Sequence, residues 1–104
     1  MSVAEQQRMK GEDLMGEAEQ KLNEPQGKCC GGGGRVKVEE ACDLYVKAGN
    51  AFKMAKEWHR AGHAFSEAAG LQMENNRKNE AGMNYVEAAK CYKKVSPCKI
   101  VLNP

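Results

Sequence analysis

The strongest constraint in this chain is a pattern that recurs every twenty residues. Ala41, Tyr45 and Ala48 fit Ala-x-x-x-aromatic-x-x-Ala, and so do Ala61, Phe65 and Ala68, then Ala81, Tyr85 and Ala88. Alternate units match more closely. "EACDLYVKAGNAFK" (residues 40–53) shares Glu, Ala, Tyr, Val, Ala and Lys with "EAGMNYVEAAKCYK" (residues 80–93), and Phe52 stands opposite Tyr92. The structural unit is therefore a pair of helices about forty residues long, the mark of a helical repeat array. Small residues let neighbouring helices approach, and one aromatic fills the space between them. Tyr45, Phe65 and Tyr85 are the expected core rings.

Boundaries follow from breaks in the apolar phase. Leu14, Ala18 and Leu22 fall four apart with Met15 beside them, which predicts a helix over residues 3–22, ended by Asn23 and Pro25. Four consecutive glycines in "EPQGKCCGGGG" hold regular structure only at a cost, so residues 23–35 are expected to form a flexible loop. Helices are expected at about 36–55, 57–74 and 78–95. The phase break at Lys56–Glu57 marks one tight turn, and Asn75, Asn76 and Asn79 mark the next. Ser96 and Pro97 close the last helix and leave residues 96–104 as an irregular tail. The expected architecture is all-α: an amino-terminal helix (1–22), a glycine loop (23–35) and antiparallel helical-hairpin repeats (36–95), four helices in all. A solenoid normally ends in a polar capping helix. None is legible after residue 95, so the array is expected to be cut short.

Charge narrows the function. The net charge is +2, but residues 1–24 carry three basic and six acidic side chains while residues 25–104 carry thirteen and eight. The excess is too small for a dedicated nucleic-acid binder. It suits an acidic protein partner or an anionic membrane. The first twenty residues lack the apolar centre of a signal peptide, and no window of the sequence approaches a membrane span, so a cytosolic chain is expected. The five cysteines lack paired metal-ligand spacing and are expected to be free thiols.

Motifs for chemistry are weak. His59 and His63 share a helical face, but Arg60 stands where a zinc protease needs Glu, and no third ligand is evident. Cys29 and Cys30 are adjacent rather than spaced as a redox pair, and with Lys28 they suit acylation or nothing at all. Cys42 and Cys91 are expected to be packing residues. The glycine run lacks the Lys-Ser/Thr of a phosphate loop. No cofactor, metal or catalytic activity is expected. Lys53, Lys56, Lys93 and Lys94 are the notable charges. Lys53 and Lys93 hold equivalent repeat positions, and both pairs sit at helix carboxy-termini. There they complement the helix dipole. Stacked repeats would also align them as one basic stripe.

The stretch "RVKVEEACDLYVKAGNAFKMAKEWHRAGHAFSEAAGLQM" resembles the amino-terminal region of the soluble NSF attachment proteins, as do "LMGEAEQKL" and "YVEAAKCYKKV". The resemblance covers residues 9–95. It implies a tetratricopeptide-like α-solenoid that acts as an adaptor in vesicle trafficking. Such adaptors coat the syntaxin-containing four-helix SNARE bundle and recruit the ATPase NSF, which pulls the bundle apart. It also implies a basic surface on the acidic bundle, here Lys53, Lys56, Lys93 and Lys94. A membrane-touching loop between the first two helices is implied too, here the segment with Lys28, Cys29 and Cys30, which lacks the family's apolar residues. Members of the family continue to a carboxy-terminal bundle that engages NSF, so this chain is expected to be unable to activate NSF alone. The alternative readings are a generic tetratricopeptide-type peptide-binding co-chaperone module and a thiol or metal enzyme.

Overall fold

The computed structural model describes residues 2–23 and 33–95. They form α1 (Val3–Asn23), α2 (Gly33–Met54), α3 (Trp58–Glu74) and α4 (Lys78–Val95). The start of α1 is a reciprocal cap. The Glu5 N–H donates to Ser2 Oγ at 3.2 Å while the Ser2 N–H donates to Glu5 Oε1 at 3.2 Å. Helix α2 begins at Gly33, inside the glycine run. Extending an existing helix backwards adds one bond for each residue fixed, so glycine is tolerated in a first turn although it would not nucleate one.

Each helix packs against its neighbours in sequence, and cross-helix pairs fix the direction. Lys21 meets Glu40 at 2.9 Å, and Gly11 lies under Phe52. Cys42 Sγ lies 3.5 Å from the Ala68 carbonyl oxygen while Gly49 lies under Phe65. Asn84 Nδ2 donates to Gln72 Oε1 at 2.6 Å while Gly62 lies under Tyr92. In all three pairs an early residue of one helix meets a late residue of the next, so the order is antiparallel throughout.

The two described turns are copies of each other, twenty residues apart. Lys56 and Asn76 both have φ of 63°. The Lys56 N–H bonds to the Lys53 carbonyl and the Glu57 N–H to that of Phe52. The Asn76 N–H bonds to the Met73 carbonyl and the Arg77 N–H to that of Gln72. This double hydrogen bond with one left-handed residue is the Schellman ending. Asn76 sits at the left-handed position as its type allows, whereas Asn79 lies inside α4.

The core is built from alanine. Among the described residues, ten of the fifteen buried hydrophobics are Ala, joined by Tyr45, Phe52, Phe65, Cys42 and Cys91. So little side-chain bulk brings the helix axes close enough for rings to touch backbone. A Cβ added at Gly11 would stand 2.8 Å from the Phe52 ring, one at Gly49 2.8 Å from Phe65, and one at Gly62 2.9 Å from Tyr92. One glycine on each of α1, α2 and α3 thus receives one ring from the next helix. One expected core ring is not in the core. Tyr85 is 47% exposed, whereas Tyr45 and Phe65 are 2% exposed. The repeat assigns Tyr85 the same position, but α4 has no described neighbour on its outer side. Met83 and Val86 are exposed with it.

Urea denaturation tests this packing. Gly49→Ala gains roughly 0.5–1 kcal/mol of helix preference but forces the Phe65 ring out of its seat, an overpacking cost of roughly 1–3 kcal/mol, so net destabilisation is expected. Gly70→Ala, with nothing within 4 Å of the new methyl, is expected to stabilise. Phe65→Ala should lose about 3–5 kcal/mol, and Tyr85→Ala much less.

Candidate functional site

Helices α2 and α4, which carry three of the four candidate lysines, end at the same edge of the fold, and Lys56 lies in the turn that follows α2. Lys53 lies in the last turn of α2, and Lys93 and Lys94 in the last turn of α4. The first turn of α3 lies between them. Lys94 Nζ stands 4.7 Å from the centroid of the Trp58 ring, within range of a cation–π attraction. Lys53 Nζ is 5.8 Å from the Phe65 centroid and 3.1 Å from Glu87 Oε1. That hydrogen bond to Lys53 is the main reason the Glu87 carboxyl is held below its usual range. Lys53 is half-buried and its charge is largely answered within the fold. Lys56 and Lys93 are exposed and make no ion pair among the described residues.

Lys56 has a second distinction. It occupies the left-handed position of its turn, where glycine is usual and a side chain costs roughly 1–2 kcal/mol. Its geometry holds the end of α2 against the start of α3, and so sets Lys56 two residues from the Trp58 plate.

Two features of this edge were missed in the sequence. Glu87 as the counter-charge of Lys53 joins residues thirty-four apart on different helices, and no periodicity reports such a pair. Trp58 under Lys94 carried a weak signal: the chain's single Trp lies two residues after Lys56 at a helix start.

The other candidates separate from this edge. Lys28, Cys29 and Cys30 lie outside the described residues. Cys42 and Cys91 are buried free thiols. Burial, followed by the charge of Asp43, pushes the Cys42 thiol up to about 11. Burial also raises Cys91. Both are poor nucleophiles at neutral pH. His59 meets Tyr92 edge-on with ring centroids 5.7 Å apart. Among the described residues no three His, Cys, Asp or Glu side chains are grouped to hold a metal. No described helix is long and apolar enough to cross a membrane.

The sequence model of the family described as "Soluble NSF attachment protein, SNAP" matches residues 9–102. The chain belongs to that family. It is 44% identical over 85 residues to human alpha-soluble NSF attachment protein, covering 81% of this chain and 29% of that protein. It is 42% identical over 85 residues to bovine beta-soluble NSF attachment protein, covering 81% and 28%. It is 37% identical over 92 residues to vesicular-fusion protein SEC17 of Komagataella phaffii, covering 80% and 31%. The chain thus spans less than a third of the length of these relatives.

Trp58→Leu is expected to keep the helices packed while releasing Lys94. The Lys94 side-chain protons, shifted upfield by the indole ring current, should move to ordinary positions in an NMR spectrum. Trp58→Tyr should retain part of that shift.

Proposed function

We propose that this chain is a non-catalytic adaptor segment of the vesicle-fusion machinery. It docks through the edge formed by Lys53, Lys56, Lys93 and Lys94 onto the acidic surface of an assembled SNARE bundle. The observation that carries the reading is Lys56 in a left-handed turn two residues before Trp58, over whose ring Lys94 is held. Glycine would serve the turn at lower cost, so the Lys56 side chain is explained by what it offers outward. A fixed ammonium also loses less freedom on binding than a mobile one. The names of the relatives supply the context: NSF attachment and vesicular fusion. The working lysines in this reading are Lys56, Lys93 and Lys94. Lys53 chiefly supports the edge, through Glu87.

Recruitment of NSF is assigned to regions of the relatives that this chain does not match, so the chain alone does not drive disassembly. Peripheral membrane contact from the cytoplasmic side is assigned to the segment with Lys28, Cys29 and Cys30. A single acyl chain gives only marginal attachment, so a modified Cys29 acts together with Cys30 or the neighbouring basic residues.

Binding of the purified chain to an assembled SNARE complex tests the proposal. Exposed ion pairs contribute roughly 0.2–1 kcal/mol each, so reversing Lys56 and Lys94 together to Glu should weaken binding by about tenfold. Helicity should be unchanged, and binding should fall as salt rises. With NSF and ATP added, the bundle should stay assembled. Binding that ignores both salt and the reversals would overturn the lysine edge. Preference for a free carboxylate-ended peptide over the bundle would favour a co-chaperone module instead.

A further inference from the structure

A groove of about 540 Å³ opens between α1 and α3, and Phe52 near the end of α2 and His59 and Arg60 at the start of α3 bring it to the back of the lysine edge. Phe52 and Met15 give it apolar lining, Gly16 lies on the α1 wall, and His59 and His63 lie on the α3 wall. Gly11, Gly49 and Gly62 each hold an aromatic ring, but a Cβ at Gly16 would meet nothing within 4 Å. Gly16 is a bare patch of helix like Gly70 and Gly82, where an added Cβ would also meet nothing within 4 Å, and of these three it is the one that lines this groove.

The surroundings of Gly16 are acidic. Glu12, Asp13, Glu17 and Glu19 line the groove or the shallow hollow beside it. Arg60 from α3 pairs with Glu12. Asp13, Glu17 and Glu19 have no cation partner among the described residues. An acidic bundle that suits the lysine edge would be repelled here.

We infer that the α1–α3 groove is a second docking site, which takes a basic amphipathic helix from a partner protein. One large apolar side chain of that helix packs on Gly16 and Met15, beside the Arg60 guanidinium that stands 5.8 Å from the Phe52 ring centroid, and its flanking lysines or arginines face Asp13, Glu17 and Glu19. A trough between two helices accepts a third helix by its ridge of side chains. Charge sets the partner's sign and orientation. The lysine edge plays no part in this contact.

The probe is a fluorescein-labelled, Ala-based helical peptide with one central Phe and Lys at the flanking positions, measured by anisotropy against the full chain. A second peptide replaces each Lys with Glu. The Lys peptide should bind at least about tenfold more tightly than the Glu peptide, a difference of about 1.4 kcal/mol. Gly16→Leu fills the socket from within, in a residue type that favours helix, and should weaken binding at least about tenfold without lowering thermal stability. Gly70→Leu, at another open glycine, should leave binding unchanged. Asp13→Lys with Glu17→Lys should weaken it as well. Equal binding of the two peptides would overturn the inference. So would a loss confined to the charge reversals with none in Gly16→Leu, because that pattern means attraction to the surface without entry into the groove. SNARE-bundle binding should be the same for Gly16→Leu and the parent chain, which separates this site from the lysine edge.

Discussion

The packing of this fold rests on a ring laid against bare backbone. Phe52 on Gly11, Phe65 on Gly49 and Tyr92 on Gly62 occur once at each junction between consecutive helices. Full burial of a Phe-sized side chain contributes roughly 1.5–3 kcal/mol, which Phe52 and Phe65 approach while Tyr92 stays 37% exposed, and the glycine beneath removes the methyl that would hold the ring away. Alanine around each seat keeps the helices near enough for the contact to form. The two features are interdependent. Bulkier neighbours would part the helices and leave the rings over voids, and a filled glycine would expel the ring. In an array stacked this way each helix is held mainly by the next, so stability is a sum of neighbour terms rather than the property of one central core.

That one-dimensional order explains what the sequence told and what it withheld. The twenty-residue repeat was legible because it is written in small residues and rings, and the backbone repeats it: Lys56 and Asn76 share one φ and one hydrogen-bond pattern. Repeat position predicts an environment only while a helix is flanked on both sides. Tyr45 on α2 and Phe65 on α3 meet that condition and are buried, whereas Tyr85 on α4 is open. The glycine run misled by its composition. Gly33 and Gly34 are poor nucleators yet lie in the first turn of a helix nucleated elsewhere.

The lysine edge proposed for docking was legible in part. Position within the repeat located Lys53 and Lys93, and the end of each helix located Lys56 and Lys94. Which of these charges face outward depends on partners from other helices. Glu87 takes up Lys53, and Trp58 fixes Lys94 in place. Those are tertiary facts, set by the register of α3 and α4 on α2. The groove beside Gly16 is a tertiary fact too. The sequence marks Gly16 only as one more glycine in a helix, and nothing local separates it from Gly11, which carries a ring.

Both faces are joined at the first turn of α3. Trp58 lies under Lys94, His59 lies against Tyr92, and Arg60 reaches Glu12 across the groove. Three successive side chains therefore point to α4, to α4 again and to α1. Their directions are fixed by where α3 starts, and that start is set by the left-handed Lys56. A glycine there would relax the turn but widen the range of angles at which α3 leaves it. A lysine at the hinge gives a narrower turn and a charge on its outside. Backbone strain, the orientation of α3 and the placement of two oppositely charged surfaces are thus one constraint, carried by one residue.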